Sequence, residues 1–341
     1  MRHIFAGPLL ALLLLLPASA EAAQEVCVEG RQDGSPITSR MVRIDGGLFT
    51  MGADMERPEE NAQHLVQVSA FWIDRYEVTN RDFAAFVEAT GHRTVAERGL
   101  DPVRHPGLPA TLLVPGSMVF FAPQNKNRVT DPNAWWSYVA DANWRAPLGP
   151  GSSIEGLENH PVVHVAYEDA LAYAKWMGRD LPTEAEWEFA ARGGLEGKRY
   201  SWGDSYDPIE GWKANTWQGA FPATNTQDDG YRSTAPVGCF PPNGYGLHDM
   251  AGNVWEYARD LWAPGHPRAP AANPTGPSLR IAHRYAGATG PSVVIKGGSW
   301  LCAPNFCQRY RPSARQPQEL SLGSNHIGFR TVLRERTGTD R

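Results

Sequence analysis

Alternation of apolar and polar positions begins at Met41. Met41-Val42-Arg43-Ile44, a Gly46-Gly47 turn and Leu48-Phe49-Thr50-Met51-Gly52 predict two short strands joined by a tight connection. Leu65-Val66-Gln67-Val68 and Phe71-Trp72-Ile73 predict two more. Helical spacing occurs in three places. Thr79 stands as a cap before Phe83, Phe86 and Val87, which share one face, and Gly91 ends the run. From Asp169 to Met177, the positions Ala170, Tyr173, Ala174 and Met177 recur with a helical period, and Gly178 is the stop. Thr183-Glu184-Ala185-Glu186 is a capping box, in which hydroxyl and carboxylate satisfy free amides reciprocally; Gly193-Gly194 closes that helix. Residues 95–160 and 195–300 hold mostly Pro, Gly, Asn and Trp, and predict loop packed by its own aromatic rings. Strand–helix alternation of the doubly wound kind is missing. The predicted fold class is therefore α+β, a single compact domain with little regular secondary structure.

Composition sharpens this picture. The 341 residues include 34 Gly, 28 Pro and 12 Trp. Gly and Pro limit long regular elements, and the tryptophans imply a core built on large rings. Net charge is −5 with both signs intermingled, which argues against a nucleic-acid partner or a membrane-surface role. At the N-terminus, Arg2 and His3 precede an uninterrupted Leu9–Leu16 run, then Pro17 and Ala18-Ser19-Ala20. This predicts a signal peptide over 1–23, cleaved near Ala20 or Ala23. The run is too short for a permanent span, and no cysteine at the cleavage point offers a lipid anchor. The expected product is exported, periplasmic or secreted, without a stable membrane anchor. A polar lead-in over 24–40, a domain over 41–335 and a tail over 336–341 complete the division.

Four cysteines, Cys27, Cys239, Cys302 and Cys307, are too few for a disulfide framework. Pairing of Cys27 with Cys239 stays open at this level, and neither is expected to act in catalysis. Cys302 and Cys307 have four residues between them. Two thiolates are soft ligands suited to Cu(I); the same spacing also reads as a structural disulfide. Zinc would need two further ligands. Arg309, Arg311 and Arg315 follow closely, and positive charge raises the thiolate fraction. His160 and His164 have a metal-like spacing without a carboxylate partner, and Pro161 disfavours helix there, so both are assigned to structure. Trp135, Trp136 and Trp144 suit either a peptide groove or the core.

Several further segments occur in a fixed order: His160-Pro161-Val162, Leu181 through Glu188, Asn243-Gly244-Tyr245-Gly246-Leu247, Gly252-Asn253-Val254-Trp255-Glu256, Gly297-Gly298-Ser299-Trp300 and Gly328-Phe329-Arg330. With the strand and helix segments above, the ordered set over about 41–333 resembles the sulfatase-modifying factor family of formylglycine-generating enzymes. The resemblance implies a variant of the C-type lectin-like fold. It implies Cys302 and Cys307 as catalytic Cu(I) ligands and Ser299 as the active-site serine beside the O2 pocket. The substrate it implies is an unfolded sulfatase segment with a Cys-x-Pro-x-Arg pattern. Its cysteine would join the site, lose hydrogen from Cβ and leave a thioaldehyde that hydrolyses to Cα-formylglycine, with a thiol reductant supplying the remaining electrons. Two structural Ca2+ sites are implied as well. The first uses Asn215 and Asp229 with the carbonyls of Thr216 and Tyr231; the second uses Asp249 and Glu256 with the carbonyls of Gly252 and Val254. Two departures stand out: Phe306 where the family usually carries Tyr, and His326 where an Asn is common. Alternatives are a related oxidase on another exported substrate and a non-catalytic lectin-like binding module. The cysteine pair favours an enzyme.

Overall fold

Strands β1 (Met41–Ile44) and β2 (Gly47–Met51) follow one another across the Gly46 turn and then join different sheets. The structure, a computed structural model, describes Cys27 and residues 40–335 except 55, 104, 124–129, 208, 210 and 288–289. The expected signal peptide, most of the lead-in and the 336–341 tail lie outside the described residues. β1 pairs antiparallel with β4 (Phe71–Asp74), which pairs on its other side with β12 (Val332–Arg334). β2 pairs antiparallel with β3 (His64–Val68), and β8 (Ala271–Ala272) extends that sheet in parallel. In β3 the period-two pattern is realised directly: His64, Val66 and Val68 are buried, Leu65 and Gln67 exposed.

Helix α1 (Asn80–Thr90) carries the expected Thr79 cap, made into a box by Asp82, and ends at Gly91 in the left-handed region. The four-residue α2 (Val95–Arg98) follows. α3 (Tyr167–Trp176) starts two residues earlier than the apolar pattern indicates. The Asp169 carboxylate accepts the Ala166 amide at 2.9 Å and so fixes the first turn around Ala166. α4 (Glu184–Arg192) has the predicted Thr183–Glu186 box and the Gly193 stop.

The segments expected to be loop contain more order than their composition indicates. β5 (Gly116–Phe120) and β6 (Trp136–Ala140) form an antiparallel ribbon. β7 (Trp255–Leu261) and β9 (Ser292–Lys296) are the middle strands of a sheet ordered β10-β9-β7-β11, with β10 at Arg315–Glu319 and β11 at Ile327–Gly328. β7 escapes a period-two reading because Trp255 to Ala258 are all buried, charged Glu256 included. Among the described residues no helix is long and apolar enough to cross a membrane. Cys27 and Cys239 form a disulfide across 212 residues.

The core is aromatic, as the tryptophan count predicts. One cluster joins Phe83, Phe86, Trp144, Tyr173, Trp255 and Phe329 and reaches Cys302 and Tyr310. Another packs Phe49, Val66, Phe71 and Ile73 against Trp187 and Phe189. A third, with Phe120, Trp135, Trp217, Phe221 and Trp300, lies under the Cys302–Cys307 segment.

Buried ion pairs lock α4 to the β10-β9-β7-β11 sheet. Arg315 holds Glu184 through two bonds of 2.7 and 2.8 Å, and Lys296 lies 3.2 Å from Glu188 and 3.5 Å from Glu184. Burial alone would raise the Glu184 pKa. Arg315, His266 and Lys296 outweigh it and hold the carboxyl at about 2, below its ordinary 4.5. The folded state therefore binds the proton less readily than the unfolded chain. The stability this group contributes is fully present above pH 4.5 and is lost as pH falls through about 2. On linkage arithmetic it amounts to about 3 kcal/mol. Urea titrations across this range should show Glu184→Gln with a flatter pH dependence of unfolding free energy than wild type. Identical slopes would remove Glu184 as the source.

Candidate active site

Strand β9 ends at Lys296, and Gly297-Gly298 turn the chain with φ of 92° and 74°. At Gly298 a side chain would also meet the Tyr310 amide nitrogen at 2.8 Å, so glycine is needed both for the turn and for the approach of the 309–310 backbone. Ser299 follows, buried, and its carbonyl accepts the Cys302 amide at 2.9 Å. The Cys302 carbonyl accepts from the Trp217 amide at 3.0 Å. Ala303 and Phe306 then bond each other in both directions, at 2.8 and 3.0 Å, around Pro304-Asn305. This small hairpin returns the chain so that Cys302 and Cys307 meet, with α-carbons 5.0 Å apart and the sulfurs joined as a disulfide. Cys302 is 1 % exposed, whereas Cys307 is half-buried.

The hairpin is held on both flanks. Phe306 stacks on Phe221 at 4.3 Å and meets Trp135 edge-on, and the Asn305 side chain bonds both the amide and the carbonyl of Phe221. From the other side, Arg57 donates to the Cys307 carbonyl at 2.5 Å, where Cys307 and Gln308 take φ of 73° and 51°. The neighbouring arginines are each paired with an acid. Arg309 is bonded to Glu59, Arg311 to Glu60 and Arg315 to Glu184, so each cation faces its own carboxylate. The segment Arg57–Glu60 thus acts as a strap across the hairpin, a feature invisible in sequence because its partners lie some 250 residues away.

Ser299 Oγ lies 3.1 Å from His326 Nδ1. A cleft of about 720 Å3 adjoins the site, walled by Phe120, Trp217, Trp300, Leu148 and Ile154. Among its described lining residues there is no Asp or Glu; Arg232 and His160 are the basic side chains. His160 Nδ1 meets Thr234 Oγ1 at 2.9 Å and His164 Nε2 meets the Pro147 carbonyl at 2.8 Å, so both histidines have structural partners, as expected. Trp135 and Trp144 are core residues, and Trp136 is half-buried against His326.

Of the residues expected to hold the first calcium, Asp229, Thr216 and the Tyr231 amide come together. Asp229 accepts from the Thr216 amide, the Tyr231 amide and Gln218 Nε2, and the same Nε2 also reaches the Thr216 carbonyl. Oxygens of Asp229 and Thr216 thus converge on one donor, the arrangement a hard cation would also satisfy. Asn215 donates to the Ser233 carbonyl and to Asn253 Oδ1. The second set is divided. Both oxygens of Glu256 bond Arg330, at 2.7 Å each, and Oε2 also accepts from Trp187. Asp249 keeps Oδ1 buried without a partner, and so does Glu77 with Oε1, among the described residues. Burial, reinforced by mutual negative charge, pushes the Glu77 carboxyl well up; burial likewise raises Asp249. Each carboxylate has one oxygen satisfied, Asp249 Oδ2 by the Gly238 amide and Glu77 Oε2 by Asn253, and one left over. Sequence reasoning did not single out Glu77. Asn253 bonds Glu77 Oε2 as well as Asn215, and so links the two loops. Among the described residues no three His, Cys, Asp or Glu side chains are arranged to hold a metal ion by themselves, so a cation in either set would need amide and backbone oxygens as well.

Comparison with known proteins agrees with this geometry. Residues 29–335 match the family profile described as "Sulfatase-modifying factor enzyme 1-like domain". A formylglycine-generating enzyme of Mycobacterium tuberculosis is 48 % identical over 298 residues, covering 87 % of this chain and 98 % of that one. An inactive C-alpha-formylglycine-generating enzyme 2 of Bos taurus is 36 % identical, covering 87 % and 89 %. Among solved structures, PvdO from Pseudomonas aeruginosa superposes with a TM-score of 0.60 at 25 % identity, over 86 % of this chain and 94 % of that one.

Proposed function

The chain belongs to the sulfatase-modifying factor enzyme family, and from that premise we propose that it oxidises the cysteine of an unfolded sulfatase segment to Cα-formylglycine with Cu(I), O2 and a thiol reductant. It is an enzyme of the formylglycine-generating type. The observation that carries the reading is the Cys302–Cys307 pair, presented on a rigid hairpin beside Ser299 with one sulfur buried and the other half-exposed. A lectin-like binding module has no use for such a pair.

The donor set fits Cu(I): once reduced, two soft sulfurs on one short turn can face a single ion and leave room for a third thiolate. The bound ion would supply the binding of substrate sulfur and O2 and one-electron chemistry. The protein supplies the rest. The strap and the Phe221–Phe306 stack hold the hairpin that carries both sulfurs, Ser299 offers a hydroxyl on the same turn, and the aromatic wall of the cleft suits an extended, largely uncharged segment. The overall change balances. A substrate CH2–SH loses two hydrogens to become a thioaldehyde, and water exchanges its sulfur for oxygen, releasing sulfide. O2 becomes two waters, taking two electrons from substrate and two from the thiol reductant.

The two disulfides fit an oxidising compartment, in accord with an exported protein, periplasmic or secreted. Calcium in the two loops would serve structure. The deciding experiment incubates the protein with Cu(I), O2, a thiol and a Cys-x-Pro-x-Arg peptide. The expected product has lost hydrogen sulfide in exchange for oxygen and carries an aldehyde that a hydrazide traps. An unaltered peptide, with no Cu(I) bound by the reduced protein, would overturn the reading.

A further inference from the structure

Ser299 leaves the end of β9, and His326 immediately precedes β11, yet their side chains meet at 3.1 Å. The Leu301 amide donates to the same serine oxygen at 3.3 Å. The imidazole is itself fixed. The His326 carbonyl accepts from the Trp255 amide at 2.9 Å, and the ring lies 4.9 Å from that of Trp136. The preceding Asn325 is held by Trp300 Nε1 on its carbonyl and by the Phe120 amide on Oδ1. Four separate segments therefore converge to place one ring nitrogen against one hydroxyl.

We propose that His326 is a positioning residue for Ser299, its Nδ1 accepting the serine hydroxyl proton and thereby fixing the direction of that hydroxyl in the formylglycine-forming site. The inference rests on the function proposed above for that site. A serine hydroxyl has one proton and two lone pairs. Leu301 occupies one lone pair. With the proton directed to Nδ1, the second lone pair is left free to accept, and the ring carries its own proton on Nε2. The opposite tautomer would place two donors on Oγ and free the hydroxyl proton, reversing the polarity offered to substrate. Burial, with His164 adding to it, lowers the His326 pKa to about 3, so the ring stays neutral and able to accept at ordinary pH. An asparagine at this position could turn either its oxygen or its NH2 toward the serine, whereas the imidazole in this tautomer can only accept at Nδ1.

A hydroxyl that must be oriented anew in each turnover slows the step it serves. His326→Ala should therefore lower kcat by roughly tenfold to a hundredfold with little change in KM. The test is a cycle of Ser299→Ala, His326→Ala and the double variant, with His326→Asn as the rescue, because its amide oxygen can stand where Nδ1 stands. If His326 acts through Ser299, its loss costs nothing further once Ser299 is alanine, and His326→Asn recovers most of the wild-type rate. A second readout needs neither copper nor turnover. Nitrogen-15 spectra of the metal-free protein should show Nδ1 unprotonated and Nε2 protonated, with the Nδ1 resonance moving in Ser299→Ala. Additive losses, a proton on Nδ1, or ring resonances indifferent to Ser299→Ala would each overturn the proposal. If wild type oxidised no peptide, the spectra would still decide the pairing on their own; if His326→Ala failed to fold, the asparagine variant and the spectra would remain.

Discussion

Cys302→Ser and Cys307→Ser should each abolish peptide oxidation, by roughly a thousandfold or more, because residues acting as one unit lose nearly everything with the first deletion. One remaining thiolate cannot supply two soft ligands. Stability should change little. By the chain-entropy relation, a closed loop as short as 302–307 is worth about 2 kcal/mol even when oxidised, and the reduced, copper-binding form gains nothing from it. Cys239→Ser is the informative contrast. Its bond to Cys27 spans 212 residues, for which the same relation gives about 5 kcal/mol, yet neither sulfur lies in the hairpin. That variant should melt earlier and keep its turnover per folded molecule. Activity on the Cys-x-Pro-x-Arg peptide, Cu(I) titration of the reduced proteins and thermal melting together separate the readings. A purely structural Cys302–Cys307 bond predicts loss of stability in both pair variants and no copper in wild type. Full activity in either serine variant would remove the pair from the chemistry.

Sequence legibility followed locality. The Thr79 and Thr183 caps, the Gly91 and Gly193 stops and the alternation in β3 are decided within a few residues, and the structure has them where the pattern places them. β7 was not legible, because Glu256 and Asp260 look like solvent positions until their partners are known. Arg330 and the Trp187 N–H hold the first, and the Glu184 amide holds the second. The same limit governs the site. Cys302, Cys307 and Ser299 lie in one short stretch and could be read together. The Arg57–Glu60 strap, the Glu77–Asp249 pair and the contact of His326 with Ser299 depend on folding that joins distant segments. Local spacing also could not show the carboxylate partners of Arg309, Arg311 and Arg315, which lie far along the chain.

The second large effect concerns the proposed calcium loops, where two carboxylates near each other should answer differently. Glu256→Ala removes the carboxylate that both fully buried nitrogen arms of Arg330 use. A guanidinium stranded in this way typically costs about 3–5 kcal/mol, and that loss should be the same with calcium or with a chelator. Glu77→Gln leaves the Arg330 pair intact and removes the charge that faces Asp249. It should lower wild-type stability chiefly when calcium is present, because the cation then meets one fewer anion. Without calcium its effect should be small, since burial and its anionic neighbours already hold the Glu77 carboxyl well above its ordinary range and Gln resembles the protonated acid. Wild type itself should melt lower on chelation; a cation at a hundredfold excess over its dissociation constant stabilises the folded state by about 2.7 kcal/mol. Asp229→Ala should remove the share of that sensitivity that belongs to the first loop, where Asp229 meets Thr216 and Tyr231. The measurement is melting of copper-free protein in calcium and in chelator for each variant, with elemental analysis of the purified wild type. If the Glu256→Ala penalty shrinks under chelation, Glu256 is a ligand as the family resemblance implies, and Arg330 is its partner only in the metal-free state. If chelation moves no melting curve and no calcium is found, the buried charge of Glu77 and Asp249 is relieved by protonation instead, and neither loop is a calcium site.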